Sequence, residues 1–184
     1  MTGFGASSYR RNPAADPHQL ELLVHTYSDA LVRYAYSIVR SSAVAEEIME
    51  DTFAQLYVKG GYFPTEGHIR SWLYKVANSR AMDYLRRHKR EVPMEDVQEV
   101  LSCSGPEEEL ILSERNQVLY LCLQKLPKQY RQVLQLRYFD EFTPEQIKAI
   151  TGFPIKKVYN CLDRGRVTLK KLLIQEGISY EDIE

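Results

Sequence analysis

Seven side chains near the end of the chain, Lys156, Lys157, Tyr159, Asn160, Arg164, Arg166 and Lys170, combine the two chemistries needed to read a DNA duplex. An asparagine amide pairs with adenine and an arginine fork with guanine in the major groove, while lysines and more distal cations hold phosphates. A second set lies upstream, where Tyr62 and Phe63 precede a basic stretch, 68–90, that contains Trp72, Lys75, Arg80, Arg86 and Arg87. Aromatic faces beside cations suit single-stranded DNA, because unpaired bases stack and the cations track the backbone. An extruded base also needs a pocket, and the irregular loop Gly60 to Gly67 is its expected wall. Packing competes for the same residues, since a basic helix is often only solvated and Trp72 and Tyr84 fall at core spacing. A third set, Glu46, Glu47, Glu50 and Asp51, would be repelled by DNA and wants either a basic protein partner or only water.

Bond-making chemistry has no comparable footing. His18, His25, His68 and His88 are scattered, and the chain has no HExxH, no glycine-rich phosphate loop and no GxSxG. No catalytic residue, metal site or cofactor is expected. Cys103, Cys122 and Cys161 are odd in number and match neither a disulfide framework nor a CxxC site, so they are expected as reduced thiols. With no long apolar run and no signal-like start, the expectation is a soluble, cytoplasmic protein with no direct membrane insertion.

The elements that must position these side chains read as helices throughout. Leu20, Leu23, Val24, Tyr27, Leu31, Tyr34 and Ile38 recur at steps of three and four. Ser42 is the expected N-cap of a second helix, which passes Ile48, Phe53 and Leu56 and stops at Gly60-Gly61. From His68 the spacing resumes through Ile69, Trp72, Leu73, Val76, Ala77, Ala81, Tyr84 and Leu85 to Arg86-Arg87-His88-Lys89-Arg90. Residues 91–106, with Pro93, Ser102, Ser104, Gly105 and Pro106, read as a linker. Beyond it come a helix from Glu107 to Leu126, closed by Pro127, and another from Lys128 to Phe139. Thr143-Pro144-Glu145-Gln146 then supplies a capping hydroxyl, a proline at the first helical position and a glutamine that closes a capping box. Gly152 ends that short helix, and Phe153-Pro154 opens the next, whose Ile155, Val158, Leu162 and Leu169 are expected in the core. A short helix, a glycine turn and a basic helix make the helix-turn-helix pattern.

The whole chain of 184 residues carries a net charge of −1, which by itself argues against nucleic acid. Its charges nevertheless fall in blocks: −4 over 21–67, +6 over 68–90, −8 over 91–114, +5 over 115–139 and +5 over 152–171. Separate electropositive faces therefore fit within a nearly neutral total.

Three stretches resemble a known family. Ala45-Glu46-Glu47-Ile48-Met49-Glu50-Asp51-Thr52-Phe53, Ser71-Trp72-Leu73-Tyr74-Lys75-Val76-Ala77 and Asp83-Tyr84-Leu85-Arg86-Arg87 resemble domain 2 of bacterial RNA polymerase sigma factors of the extracytoplasmic-function (ECF) group, within the sigma-70 family. Leu126-Pro127, Arg131 to Phe139, and Arg164-Gly165-Arg166 resemble domain 4. The resemblance implies an all-α fold of two small helical domains joined by a flexible linker, the second a helix-turn-helix domain. It implies a flexible N-terminus over 1–16, domain 2 over 17–90, linker 91–106, domain 4 over 107–175 and a tail over 176–184. The implied partners are core RNA polymerase, through the clamp helices of its largest subunit and its flap, promoter DNA, and an anti-sigma factor. Polymerase docking would then fall to Glu47, Glu50 and Asp51. The −10 element would be melted and read by Tyr62, Phe63, Trp72, Lys75, Asn78, Ser79, Arg80, Arg86 and Arg87, and the −35 duplex by the helix-turn-helix. Ser79 stands where the family commonly has Asn, with Asn78 one residue early. Lys148 replaces a usual small residue, and Tyr159-Asn160-Cys161 replaces a common basic-Ser-Arg run. The alternative from another class is a stand-alone helix-turn-helix regulator, which would have no use for a single-strand pocket.

Overall fold

The computed structural model describes residues 16–91 and 114–177, with side chains described for 16–88 and 118–177. The expected loose start, nearly all of the linker, the helix expected over 107–113, Cys103, and the tail from 178 lie outside the described residues. The chain divides into two compact units, Met1–Cys103 and Ser104–Glu184. Among the described residues every regular element is helical.

In the first unit, α1 (Pro17–Val39), α2 (Ser42–Lys59) and α3 (Glu66–Glu91) pack against one another. Asp16 caps α1 by accepting from the His18 amide at 3.0 Å, with Pro17 where no amide partner is needed. The expected stripe supplies the buried Leu23, Tyr27, Leu31, Tyr34 and Ile38. The last turn is buried on every side, adding Ala35, Tyr36, Ser37 and Val39. The N-cap of α2 is Ser41, whose hydroxyl accepts from the Val44 amide at 3.5 Å, while the expected cap Ser42 is the first helical residue. The third helix starts two residues before His68, at Glu66, because Thr65 already receives the His68 and Ile69 amides on its carbonyl.

Two tyrosines of α1 fasten α3. The Tyr27 hydroxyl donates to Glu66 Oε1 at 2.7 Å, and the buried Tyr34 hydroxyl donates to Asn78 Oδ1 at 3.2 Å. Ala77 and Ala81, both fully buried, keep the packed face of α3 narrow beside them. A buried hydroxyl that loses its acceptor costs about 1–3 kcal/mol, whereas a change on an exposed surface stays within about 0.5 kcal/mol. Asn78→Ala should therefore lower the midpoint of thermal unfolding by several degrees, and Ser79→Ala should leave it in place. Equal midpoints for the two variants by circular dichroism would remove Asn78 from the core.

The second unit consists of α4 (Glu114–Gln124), α5 (Lys128–Leu134), a π-helical turn (Gln135–Phe139), α6 (Pro144–Thr151) and α7 (Ile155–Gln175). The buried Arg131 turns the α4–α5 corner by donating from Nη1 to the carbonyls of Gln124 at 2.8 Å and Leu126 at 2.9 Å. Carbonyls at a helix end have no partner within their own helix, so this guanidinium acts as a side-chain cap. The helix expected over Lys128–Phe139 is α-helical only to Leu134. The π turn then widens it, with the Asp140 amide on the Gln135 carbonyl at 3.1 Å and the Phe142 amide on the Leu136 carbonyl at 2.9 Å.

The helix-turn-helix forms as its local chemistry dictates. Thr143 Oγ1 accepts from the Gln146 amide at 3.3 Å while Gln146 Oε1 accepts from the Thr143 amide at 2.8 Å, completing the capping box. Gly152 adopts φ 72°, the left-handed region that glycine enters without a side-chain clash. Lys148 is exposed, so its length is accommodated in solvent and not between the helices. Gly165 permits the close crossing of α7 over α5: a Cβ there would lie 3.1 Å from Leu134 Cδ1 and 3.3 Å from Tyr130 Cβ. In Gly165→Ala this crowding opposes a helix-propensity gain of about 1 kcal/mol, giving little net change. Gly165→Leu should cost at least about 1–3 kcal/mol by overpacking, a fall of several degrees in the thermal midpoint. An unchanged midpoint for Gly165→Leu would show that the crossing does not depend on this glycine.

Candidate nucleic-acid and polymerase interfaces

The outer face of α7 gathers the duplex-reading candidates. Val158, Cys161, Leu162, Gly165 and Leu173 are buried, while Ile155 and Leu169, expected in the core, are only half-buried. This inner stripe leaves Lys156, Tyr159, Asn160, Arg164 and Arg166 exposed, with Lys157 and Lys170 half-buried at its edges. Tyr159 keeps 48% of its surface. The Lys157 ammonium sits 3.9 Å from the centre of the Phe153 ring, a cation–π contact that ties the start of the helix to the turn. Asp163, a carboxylate amid cations, accepts from Arg166 Nη2 at 3.0 Å. That hydrogen bond is the first cause holding the Arg166 guanidinium above its ordinary pKa, and the Tyr138 phenol adds to it. Burial raises the pKa of the Cys161 thiol, and likewise that of Cys122.

In the first unit the single-strand candidates divide. Tyr62 keeps 67% of its surface, but Phe63 keeps only 6% and sets its ring edge-on to Trp72, centres 5.8 Å apart. Phe63 fills the space beside Gly61, where a Cβ would come within 3.0 Å of its ring. Asn78 keeps 8% and is engaged by Tyr34, so its amide faces the core and not a base. Its neighbour Ser79 is exposed, as are Lys75, Arg80, Arg86 and Arg87. An open groove of about 350 Å³ runs along α3, lined by Gln55, Trp72, Lys75, Val76, Ser79, Arg80 and Asp83. None of its lining comes from the loop Gly60 to Gly67, whose Phe63 packs on Trp72. Four expected residues, Trp72, Lys75, Ser79 and Arg80, do share the groove, and Arg86 pairs with its rim residue Asp83.

The acidic stripe Glu46, Glu47, Glu50 and Asp51 is exposed along α2. Asp51 is not wholly outward-directed: its Oδ2 lies 3.7 Å from Arg80 Nη1, across from α2 to α3. Two residues adjoining these surfaces escaped the sequence pattern. Gln55 stands one helical turn beyond Asp51, a spacing that could have flagged it, and its Oε1 accepts from Arg80 Nη2 at 3.2 Å. Tyr138 belongs to the preceding π turn, and nothing in its local sequence points to Arg166. Among the described residues no group of three or more metal-ligating side chains gathers, and no helix is long and apolar enough to cross a membrane.

Comparison with known proteins follows this division. Residues 23–91, covering α1 to α3 almost entirely, match the Sigma-70 region 2 family, and residues 116–169 match the Sigma-70, region 4 family. The ECF RNA polymerase sigma factor SigW of Bacillus subtilis is 27% identical over 164 residues, covering 82% of this chain and 87% of that protein. The ECF factor SigM of the same organism is 25% identical over 163 residues, covering 88% and 99%. Among solved structures, the sigma factor RpoE bound to the anti-sigma factor NepR from Bartonella quintana shares the fold with a TM-score of 0.62 at 22% identity, covering 83% of this chain and 95% of that one. CnrH bound to the cytosolic domain of CnrY gives 0.59 at 20%, covering 91% and 98%. A stand-alone regulator is not favoured, because it accounts for the helix-turn-helix but not for the region 2 match. The two matches fall in order along one chain and take in both the groove-bearing unit and the helix-turn-helix: the protein belongs to the sigma-70 family, in its ECF group, as a factor for promoter-specific initiation of transcription.

Proposed function

We propose that the two units divide promoter recognition between duplex and single strand, and that α2 carries the polymerase. Residues 107–175 act as domain 4, reading the −35 duplex with the outer face of α7: Asn160 and Arg164 contact base edges, Tyr159 lies beside them, and Lys156, Lys157, Arg166 and Lys170 hold phosphates. Residues 17–90 act as domain 2, capturing the −10 strand along the α3 groove with Trp72, Lys75, Ser79 and Arg80, aided by Tyr62 at the loop and by Arg86 and Arg87 further along the helix. Glu47, Glu50 and Asp51 meet a basic surface of core polymerase, the clamp helices of its largest subunit, and domain 4 meets the flap. Linker 91–106 joins the domains, with 1–16 and 176–184 as flanking segments. The protein performs no chemistry of its own, needs no cofactor and works in the cytoplasm. An anti-sigma factor is a further partner, by analogy with RpoE–NepR and CnrH–CnrY.

One observation supports this reading best. The groove joins an aromatic wall, cations and a hydroxyl on the same unit that exposes the acidic stripe, and a factor that both docks on polymerase and holds an opened strand uses the two together. Run-off transcription with purified core polymerase on genomic promoter fragments should give core-dependent initiation, and silence on every fragment would sink the reading.

At residue level, Asn160→Ala or Arg164→Ala should relax the preference at a −35 base pair by about 1–3 kcal/mol. Lys170→Ala should weaken binding on every sequence alike and lower the salt slope by about one. Uniform loss from all three would remove the base-reader assignments. Charge reversal of Glu47 and Glu50 to Lys should abolish core binding in pull-down with an unchanged circular dichroism spectrum. These two are the better choice because Asp51 has an internal partner in Arg80. Retained binding would exclude the stripe as the docking face.

A further inference from the structure

The groove has two walls, and only one of them belongs to the DNA-reading helix. Trp72, Val76, Ser79 and Asp83 recur at steps of three and four along α3 and form one side together with Arg80, with Lys75 at the edge. The opposite side is Gln55, from the acidic helix α2. A chain of contacts fixes this glutamine. Asp51 Oδ2 approaches Arg80 Nη1 at 3.7 Å, and Nη2 of the same guanidinium donates to Gln55 Oε1 at 3.2 Å. The planar fork of Arg80 thus holds two residues one turn apart on α2. With its oxygen accepting from Arg80, the Gln55 amide is oriented, and its Nε2, a donor of two hydrogens, is left to offer to a ligand.

An oriented amide donor at the wall of an open groove, facing an indole and a hydroxyl, is suited to an unstacked nucleobase. The base can lie against the Trp72 ring while a ring nitrogen or carbonyl oxygen on its edge accepts from Gln55 Nε2, and Lys75 can reach the adjoining phosphate. We propose that Gln55 is a further specificity-determining residue for the −10 strand, with Arg80 positioning its amide and Asp51 positioning Arg80. The docking helix then also forms one wall of the strand groove. This proposal rests on the assignment of the groove to the −10 strand made above.

The test uses holoenzyme assembled from the full chain and core polymerase, with forked promoter probes in which each −10 position carries each of the four bases in turn. Gln55→Ala should lower base discrimination at one position by about tenfold while leaving the others within about twofold, with core affinity and thermal midpoint unchanged. Asp51→Asn should produce a weaker loss at that same position, because Arg80 keeps Gln55 but loses its own anchor. Rescue is expected from Gln55→Asn only in part, since the shorter amide cannot keep both Arg80 and the base. A loss spread evenly over all positions, or a change in core affinity alone, would overturn the proposal by making Gln55 a structural or docking residue. Trp72→Ala and Lys75→Ala separate the two levels. If they weaken strand capture and Gln55→Ala is silent, the proposal alone fails; if neither weakens it, the groove assignment fails and the proposal with it.

Discussion

The close crossing of α7 over α5 at Gly165 is the contact on which the second unit depends. A reading helix must be held firmly on one side and left bare on the other, and the firm side has to take little of its circumference. Gly165 achieves this by letting Leu134 and Tyr130 approach almost to the helix backbone. Val158, Cys161 and Leu162 complete a narrow inner stripe, and the polar residues between them stay in solvent. The first unit meets the same constraint with different residues. There Ala77 and Ala81 narrow the packed face of α3, and the Tyr34–Asn78 hydrogen bond sits beside them in the core. In both units a stripe of small or snugly partnered residues leaves the remaining arc of the helix to cations and aromatics.

The two helix corners feeding these elements follow different rules, and this decides what could be read from the sequence. The capping box at Thr143 and the left-handed Gly152 are local, requiring only residues within a few positions of each other, and the residue types specify them unambiguously. The stripe of α1 was equally legible, because periodicity needs no knowledge of the partner helix. Asn78 was not: its type suggests a surface, and the partner that makes burial favourable, Tyr34, lies 44 residues away. Phe63 was misplaced for the same reason, since an aromatic in a loop looks available until Trp72 is known to stand beside it. The π turn left no mark on the periodicity because Leu134 and Leu136 are buried on either side of the transition. Its buried Gln135 reads as an ordinary surface residue in any helical projection. The groove along α3 was legible on its α3 side, where residues share one helix, and illegible on its α2 side, where Gln55 meets Arg80 across 25 residues.

Charge shows a parallel distinction between composition and arrangement. A net charge of −1 conceals blocks of +6 over 68–90 and +5 over 152–171, but several cations in those blocks already have partners within the protein. Arg80 is shared with Asp51, Arg86 with Asp83 and Arg166 with Asp163, while Lys157 rests on the Phe153 ring. The three ion pairs are exposed, and pairs of this kind contribute about 0–1 kcal/mol, too little to hold the fold together but enough to fix the direction of a long side chain. Salt weakens such contacts and phosphate can replace the carboxylate in them.

Pairing the cations therefore exchanges bulk attraction for orientation. An unpaired lysine contributes to binding at any sequence and in any register, through counterion release. A guanidinium held by a carboxylate one turn away loses part of that general attraction, yet offers its remaining donors in a fixed plane, which is the condition for reading a base edge or one particular phosphate. Asp163 and Asp83, which look misplaced on two basic helices when charge is only counted, make sense as the groups that set this direction. A chain arranged in this way is poor at holding DNA by charge alone. Under the proposed roles it gains from a partner that supplies the remaining affinity, and the acidic residues of α2, exposed to solvent, offer a basic partner a surface separate from that of α3.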